Sequence, residues 1–151
     1  MHINPDHFLE TSLGRVFTPE RNQTAWEKCF NVLKHEILFN PKIQKIYVLI
    51  GAQAAGKSSW AENKIKNEPN NIVFDAILVQ KMERASIIKI ANQHNIECIA
   101  VMFRTPLSVC LERNSKRTPD TKVDEQAIKN VFAALEAPSL DEGFRNNILV
   151  R

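Results

Sequence analysis

One short segment constrains the fold of this chain more than any other, because it requires a buried strand, a tight loop and a helix in succession. The apolar run Ile46–Ile50 leads into Gly-Ala-Gln-Ala-Ala-Gly-Lys-Ser at 51–58, and helix-forming residues follow over 59–65. Two of the four glycines, Gly51 and Gly56, stand where the backbone must turn and approach a ligand closely. Amide groups of such a loop point at a phosphate, in front of a helix N-terminus. The segment therefore predicts a phosphate-binding loop, or P-loop.

The side chains at the end of this loop suit a nucleotide. Lys57 supplies a mobile positive charge for the β- and γ-phosphates, and the Ser58 hydroxyl can bind Mg²⁺. A turn that binds nothing would not require this Lys-Ser pair. We therefore expect a nucleotide-binding protein, with contacts from Gly51, Ala52, Gln53, Ala54, Ala55, Gly56, Lys57 and Ser58.

Length and composition indicate a single domain. With 151 residues, of which 44% are hydrophobic, we expect one core and not two. The net charge of +3 is mild and does not by itself name a partner. No apolar stretch reaches the roughly 18 residues that a membrane helix needs, and the N-terminus lacks a secretory pattern. We expect no membrane partner and a cytoplasmic location.

The cysteines and histidines do not suggest a metal site. Cys29, Cys98 and Cys110 are odd in number, widely spaced and set in apolar surroundings, so we expect buried, reduced thiols. The four histidines are equally scattered. We expect them to be exposed or to make structural hydrogen bonds.

Helices and strands are predicted to alternate along most of the chain. Residues 1–23 contain the breakers Pro5, Gly14 and Pro19, and we expect an irregular extension outside the core. Apolar runs and helical periodicity then predict helix 24–39 capped by Thr24, strand 46–50, the P-loop helix from 59, strand 72–74, helix 80–94, strand 97–103, helix 107–114, a helix from the cap Asp124 to about 137, and strand 144–150.

This alternation predicts an α/β fold, and together with the loop it predicts a P-loop NTPase. We expect three layers, α/β/α, around a small, mostly parallel sheet of four strands. We divide the chain into an N-terminal extension and amphipathic helix at 1–45 and a P-loop domain at 46–151. Ligands of such sheets bind outside the carboxyl ends of the strands, where the P-loop, Asp75 and the basic segment 115–122 all lie.

Three charged residues at those ends are candidates for catalysis. Asp75 follows a short strand, where an acid can hold Mg²⁺ opposite the loop serine, accept a proton from an attacking hydroxyl, or only cap the loop. Arg113 and Arg117 lie where a helix passes into the basic segment, and they either close as a lid over a transferred phosphoryl group or are solvated at a helix C-terminus. The candidate catalytic residues are Lys57, Asp75, Arg113 and Arg117, and the candidate metal ligands are Ser58 and Asp75.

Four motifs carry a family resemblance over roughly residues 46–151. They are the loop with its continuation to Trp60, Ile-Val-Phe-Asp-Ala at 72–76 with Lys-Met-Glu-Arg at 81–84, Arg-Thr-Pro at 104–106 with Cys-Leu-Glu-Arg-Asn-Ser-Lys-Arg at 110–117, and Glu-Ala-Pro-Ser-Leu-Asp-Glu-Gly-Phe at 136–144. In these motifs the chain resembles the kinase domain of polynucleotide 5′-hydroxyl kinases and their zeta-toxin-like relatives.

The resemblance implies further roles. Ser59 would bind phosphates and Mg²⁺ beside Lys57 and Ser58. Arg113 and Arg117 would be lid arginines, and Arg84 would support the site together with Asp75.

One segment of that family is missing here. Its members usually place an edge strand and the aspartate that deprotonates the acceptor hydroxyl between the P-loop helix and the next strand, but only residues 63–71 remain. Without that aspartate, the base would come from elsewhere, and the candidates are Asp6, Glu20, Asp75 and Glu83.

Arg104 is a second departure, since the family often has a less basic residue at this position. Its side chain faces the acceptor or is solvated.

Two functions follow as expectations, and both use ATP with Mg²⁺. The first is an ATP-dependent kinase that transfers the γ-phosphate to a hydroxyl of a polynucleotide 5′ end or of a small molecule. The second is a nucleotide-binding or NTP-hydrolysing module without kinase activity, in which residues 1–45 bind a partner. A nucleic-acid-binding protein that uses Lys116, Arg117 and Lys122 is a third possibility, but this basic run is too short to outweigh a nucleotide lid.

Overall fold

The strand that enters the P-loop lies at the centre of a five-stranded parallel sheet. A computed structural model describes residues 1–151. The strands are β1 (His2–Ile3), β2 (Glu10–Thr11), β3 (Gly14–Arg15), β4 (Lys45–Ile50), β5 (Ile72–Asp75), β6 (Glu97–Phe103) and β7 (Asn146–Val150), and the helices are α1 (Pro19–Phe39), α2 (Lys57–Asn67), α3 (Lys81–Gln93), α4 (Leu107–Ser115) and α5 (Glu125–Ala134). The sheet order is β1-β5-β4-β6-β7, and β2 and β3 form a separate antiparallel hairpin.

Helices cover both faces of this sheet. Successive side chains of β4 alternate between two cores, with Val48 in one and Leu49 in the other. The first core contains residues of α1 and α3, and the second contains residues of α2, α4 and α5. Because both faces are buried, β4 and β6 are nearly continuous apolar runs. The predicted three-layer α/β/α fold of a P-loop NTPase is confirmed.

The prediction that residues 1–23 lie outside the core is wrong. His2 and Ile3 pair in parallel with Val73 and Phe74, so β1 is an edge strand and the sheet has five strands instead of four. Ile3 and Leu9 are each only 2% exposed. A two-residue strand is too short to show a periodic pattern, so the sequence carried no signal for it. The division of the chain at residue 45 stays a prediction.

Helix α1 begins five residues before its predicted start. Thr18 is the N-cap, and its side chain accepts a hydrogen bond from the Arg21 amide at 3.1 Å. Thr24 lies inside the helix and donates to the Glu20 carbonyl. Pro19 occupies the first turn, where its missing N–H costs nothing, so it starts this helix instead of breaking the chain. Helix α5 ends at Ala134, before the predicted residue 137.

The remaining predictions about the whole chain concern thiols and membranes. All three cysteines are free and buried, as expected. Burial raises the pKa of Cys98 to about 12, so this thiol is not a nucleophile at neutral pH. No helix here combines the length and the apolar character needed to cross a bilayer.

Candidate active site

A cleft of about 1280 Å³ lies at the carboxyl ends of the central strands. Its walls come from four parts of the chain: the P-loop, the segment that follows β5 together with the start of α3, the end of α4 with the loop to α5, and the N-terminal segment between residues 4 and 30. The first three were expected from the sequence. The fourth was expected only as a source of two alternative bases, Asp6 and Glu20, because its position as a cleft wall depends on β1 pairing at the sheet edge.

Two glycines give the P-loop its shape. Gly56 has a φ of 100°, a left-handed conformation that a side chain would strain, and it caps α2. A Cβ on Gly51 would lie 2.9 Å from the Cβ of Phe103, so only glycine allows the close contact with β6. The Thr105 hydroxyl donates to the Ala55 carbonyl at 2.8 Å and braces the loop from the same side. The first amides of α2, which have no partner within the helix, are therefore held ready for an anion.

Lys57 is buried at the base of this loop. Its ammonium donates to the carbonyls of Gly51 and Ala52, both at 2.8 Å, and the residue is 7% exposed. Burial lowers the pKa of Lys57 to about 8, and the nearby Asp75 carboxylate only partly opposes this. A polyphosphate would offer this cation a better counter-charge than two neutral carbonyls.

Asp75 lies opposite Ser58, as the metal hypothesis requires. The Ser58 hydroxyl donates to Asp75 Oδ2 at 2.7 Å, and Asn4 Nδ2 and His2 Nε2 each lie 3.0 Å from the same oxygen. Burial by itself would raise the pKa of Asp75, but the hydrogen bonds from His2 and Ser58 and the charge of Lys57 outweigh it and lower the pKa below its usual value. Asp75 is therefore an ionised, firmly held carboxylate.

Sequence reasoning missed His2 and Asn4. Both are more than seventy positions away from Asp75, and no local motif connects them. His2 is a structural histidine in the expected sense, since its ring nitrogen is satisfied by the carboxylate. Its position beside the candidate metal ligand was not expected.

The two arginines expected to form a lid, Arg113 and Arg117, line the cleft. Arg113 Nη1 donates to the carbonyl of Ala54 at 3.3 Å, which places its guanidinium beside the P-loop. Arg117 lies two residues beyond the end of α4 and also lines the cleft. Asn114 is fully buried between them and exchanges two hydrogen bonds with the backbone of Val123, at 2.7 and 2.9 Å. This contact closes the basic segment 115–122, which is the basic loop between α4 and α5, into a compact turn.

Arg84 and Arg104 do not reach the cleft. Arg84 is fully buried and pairs through two nitrogens with Glu142, at 2.9 and 3.1 Å, and it also donates to the Glu136 carbonyl. It connects α3 to the segment before β7, so any support that it lends the site is indirect. The side chain of Arg104 is exposed outside the cleft.

The candidate bases divide into two groups. Asp6, Asp75 and Glu83 line the cleft, whereas Glu20 is exposed on α1 and does not. Asp6 reaches the cleft because it lies three residues after β1, which pairs at the sheet edge.

Comparison with known proteins agrees with this geometry. The chain matches the AAA domain family over residues 64–138, from the second half of α2 to the segment between α5 and β7. No curated protein matches the chain significantly. The family match begins after the P-loop, so the loop geometry and the match are separate lines of support. Together they identify a P-loop nucleotide-binding module of the kinase-like type.

Proposed function

We propose that this protein is an ATP-dependent phosphotransferase that transfers the γ-phosphate of ATP to a hydroxyl group. The observation that carries this proposal is the extent of the cleft. Its volume of about 1280 Å³ exceeds the range of about 300–1,000 Å³ that is usual for a single ligand. A nucleotide on the P-loop would therefore leave the side formed by the N-terminal segment open for an acceptor.

The loop fits a nucleotide. Gln53 Oε1 is buried without a hydrogen-bond partner and lies in the cleft wall, so it is available to a bound ligand. Lys57 would exchange its carbonyl partners for the β- and γ-phosphates. Ser59, on the first turn of α2, also lines the cleft and would add a hydroxyl contact.

The donor set also fits Mg²⁺. This ion prefers oxygen ligands and usually takes only one or two from the protein, with water and phosphate oxygens completing the shell. Ser58 and Asp75 offer two oxygens that are already 2.7 Å apart. No cluster of three His, Cys, Asp or Glu side chains is present, which suits Mg²⁺ better than zinc. When bound, Mg²⁺ would neutralise charge on the phosphates.

The chain's own groups would contribute mainly position and charge. Lys57 and Arg113 would hold the phosphoryl group from two sides, and Arg117 would close over it from the basic loop. This arrangement neutralises charge that spreads over the phosphoryl oxygens and excludes water, which are the main requirements for phosphoryl transfer. Hydrolysis without an acceptor is the alternative that these same residues would support.

Incubation of the purified chain with γ-labelled ATP, Mg²⁺ and a panel of hydroxyl compounds tests the proposal. Transfer of label to an acceptor is the expected result. Release of free phosphate alone would instead support the hydrolase, and an unchanged melting temperature at saturating ATP and Mg²⁺ would exclude both. The variant Lys66→Ala should react with ATP as the wild type does, since Lys66 is exposed at the other end of α2 and away from the cleft.

A further inference from the structure

We propose that residues 4–30 form the acceptor subsite of the cleft, and that Asp6 is the base that takes the proton from the acceptor hydroxyl. The acceptor that fits this subsite is a small, uncharged alcohol that carries a flat ring. This inference rests on the phosphotransferase function proposed above and specifies its acceptor side.

Asp6 is the candidate base whose carboxylate is most available. Asp75 is 2% exposed, and its Oδ2 already accepts three hydrogen bonds. Glu83 accepts the Gln80 amide at 2.7 Å as part of a helix cap. Glu20 does not line the cleft. The side chain of Asp6 lines the cleft, is 50% exposed, and accepts a hydrogen bond from the protein only on Oδ2.

The position of Asp6 is well determined by its neighbours. Its amide donates to the Asn4 side chain at 2.9 Å, and Arg15 donates to its Oδ2 at 3.1 Å. Asn4 also donates to Asp75, so the acceptor side and the metal side share one buried amide. Asp6 and Lys57 line the same cleft, so the proposed base and the phosphate-binding lysine border one ligand space.

The proposed step balances in protons and electrons. Asp6 Oδ1 takes the proton of the acceptor hydroxyl, and the oxygen forms a bond to the γ-phosphorus of ATP. The bond from that phosphorus to the bridging oxygen breaks, and ADP leaves with the electron pair beside Lys57. The proton is lost from Asp6 to solvent through its exposed side after the product leaves.

Apolar side chains form much of the wall around Asp6. Leu9, Trp26 and Phe30 contribute its deeper part, and Phe17 lies near the opening with 65% of its surface exposed. A large exposed aromatic side chain at a cleft is suited to stacking on a flat ring. An acceptor with such a ring would fill this part of the cleft better than an aliphatic polyol.

The charges of this segment argue against a polynucleotide acceptor. A nucleic-acid end requires unpaired cations for its phosphates. Arg15 is paired with Asp6 and Glu10, at 3.1 and 2.8 Å, and Arg21 donates to two backbone carbonyls. Lys28 lies over the ring of Phe8. No free cation is therefore directed into the cleft from this side, which favours an uncharged acceptor.

The test uses adenosine and uridine as probes, with a 5′-hydroxyl decathymidylate for comparison. Asp6→Asn should lower kcat for nucleoside phosphorylation by about 100-fold or more, the usual contribution of a general base, while ATP raises the melting temperature as in the wild type. Glu20→Gln makes the same chemical change outside the cleft and should leave kcat unchanged.

A second pair of variants tests the ring. Phe17→Ala should raise KM for the nucleoside about tenfold and leave KM for ATP unchanged, because stacking on an exposed ring is lost without loss of the fold. Leu13→Ala, at a residue that is 96% exposed and outside the cleft, should change neither constant.

Two results would overturn this inference and leave the phosphotransferase proposal intact. They are wild-type transfer to decathymidylate but to neither nucleoside, and full kcat in Asp6→Asn. Release of phosphate from ATP without transfer to any of the three acceptors or to any other compound of the hydroxyl panel would overturn both proposals.

Discussion

The two sides of the cleft are built in different ways. The P-loop side is one continuous stretch, in which backbone amides, two glycines and the buried Lys57 lie within a few residues of one another, and β6 and Thr105 only brace it from one side. The opposite side collects side chains from residues spread between 4 and 30, and their position depends on β1 and α1 packing on the rest of the fold.

Under the proposed function, this difference reflects what each side would recognise. A polyphosphate is the same in every nucleotide, and backbone amides at a helix N-terminus bind it with little dependence on side chains. An acceptor has its own shape and charge, so its wall must be made of particular side chains. Variants on the P-loop side should therefore affect every reaction of ATP, whereas variants on the N-terminal side should affect one acceptor.

The largest effect is expected for the two arginines that we propose as a lid. Replacing both Arg113 and Arg117 by alanine should lower kcat for any acceptor by about a thousandfold, because the charge of the transferred phosphoryl group would lose its arginine partners. Steady-state assays with several acceptors measure this. Lys116→Ala is the matched control: Lys116 lies between them but pairs with Glu112 on the surface, with 73% of its side chain exposed. An equal loss in that variant would contradict a lid role.

The next effect concerns the loop lysine. Lys57→Ala should lower kcat about 100-fold, and ATP should no longer raise the melting temperature, since the one buried cation of the loop is removed. Thermal denaturation with and without ATP and Mg²⁺ gives the binding result directly. If ATP still stabilises this variant as well as the wild type, the nucleotide does not bind at the P-loop.

The contribution of β1 to the fold is tested by Ile3→Ala. Because Ile3 is 2% exposed and belongs to the first core, the free energy of unfolding should fall by about 2–4 kcal/mol. Urea denaturation followed by circular dichroism measures it. Leu13→Ala, in the same segment but 96% exposed, should change it by less than about 0.5 kcal/mol. Equal, small changes in both variants would return residues 1–23 to the status of an extension.

The smallest effect is a pH dependence of ATP binding. Because the pKa of Lys57 is lowered to about 8, the ammonium of Lys57 loses its proton above pH 8 in the free protein. A bound phosphate would keep this ammonium protonated. ATP affinity should be flat below pH 8 and should fall above it, by at most about tenfold per pH unit. Calorimetry at pH 7, 8 and 9 measures this, and Lys57→Arg should remove the dependence because arginine stays charged. A rise in affinity with pH would contradict the assignment.

Much of the fold was predictable because its signals are local. The buried strand before the loop, the helix after it and the run Glu97–Phe103 are apolar over consecutive residues, and each lies in the structure within two residues of its predicted bounds. The start of α1 was not, since Thr18 and Thr24 are equally good caps in sequence and only the packing of the first turn distinguishes them.

The sequence by itself determined where a phosphate can bind, because the residues that make a P-loop are neighbours and their conformations follow from glycine, the strand and the helix. Only the tertiary structure decided what lies opposite that loop. The contacts of Asp75 with His2 and Asn4, and the wall that contains Asp6, bring together residues separated by more than seventy positions. Such contacts depend on the pairing of a two-residue edge strand, and no local pattern specifies that pairing.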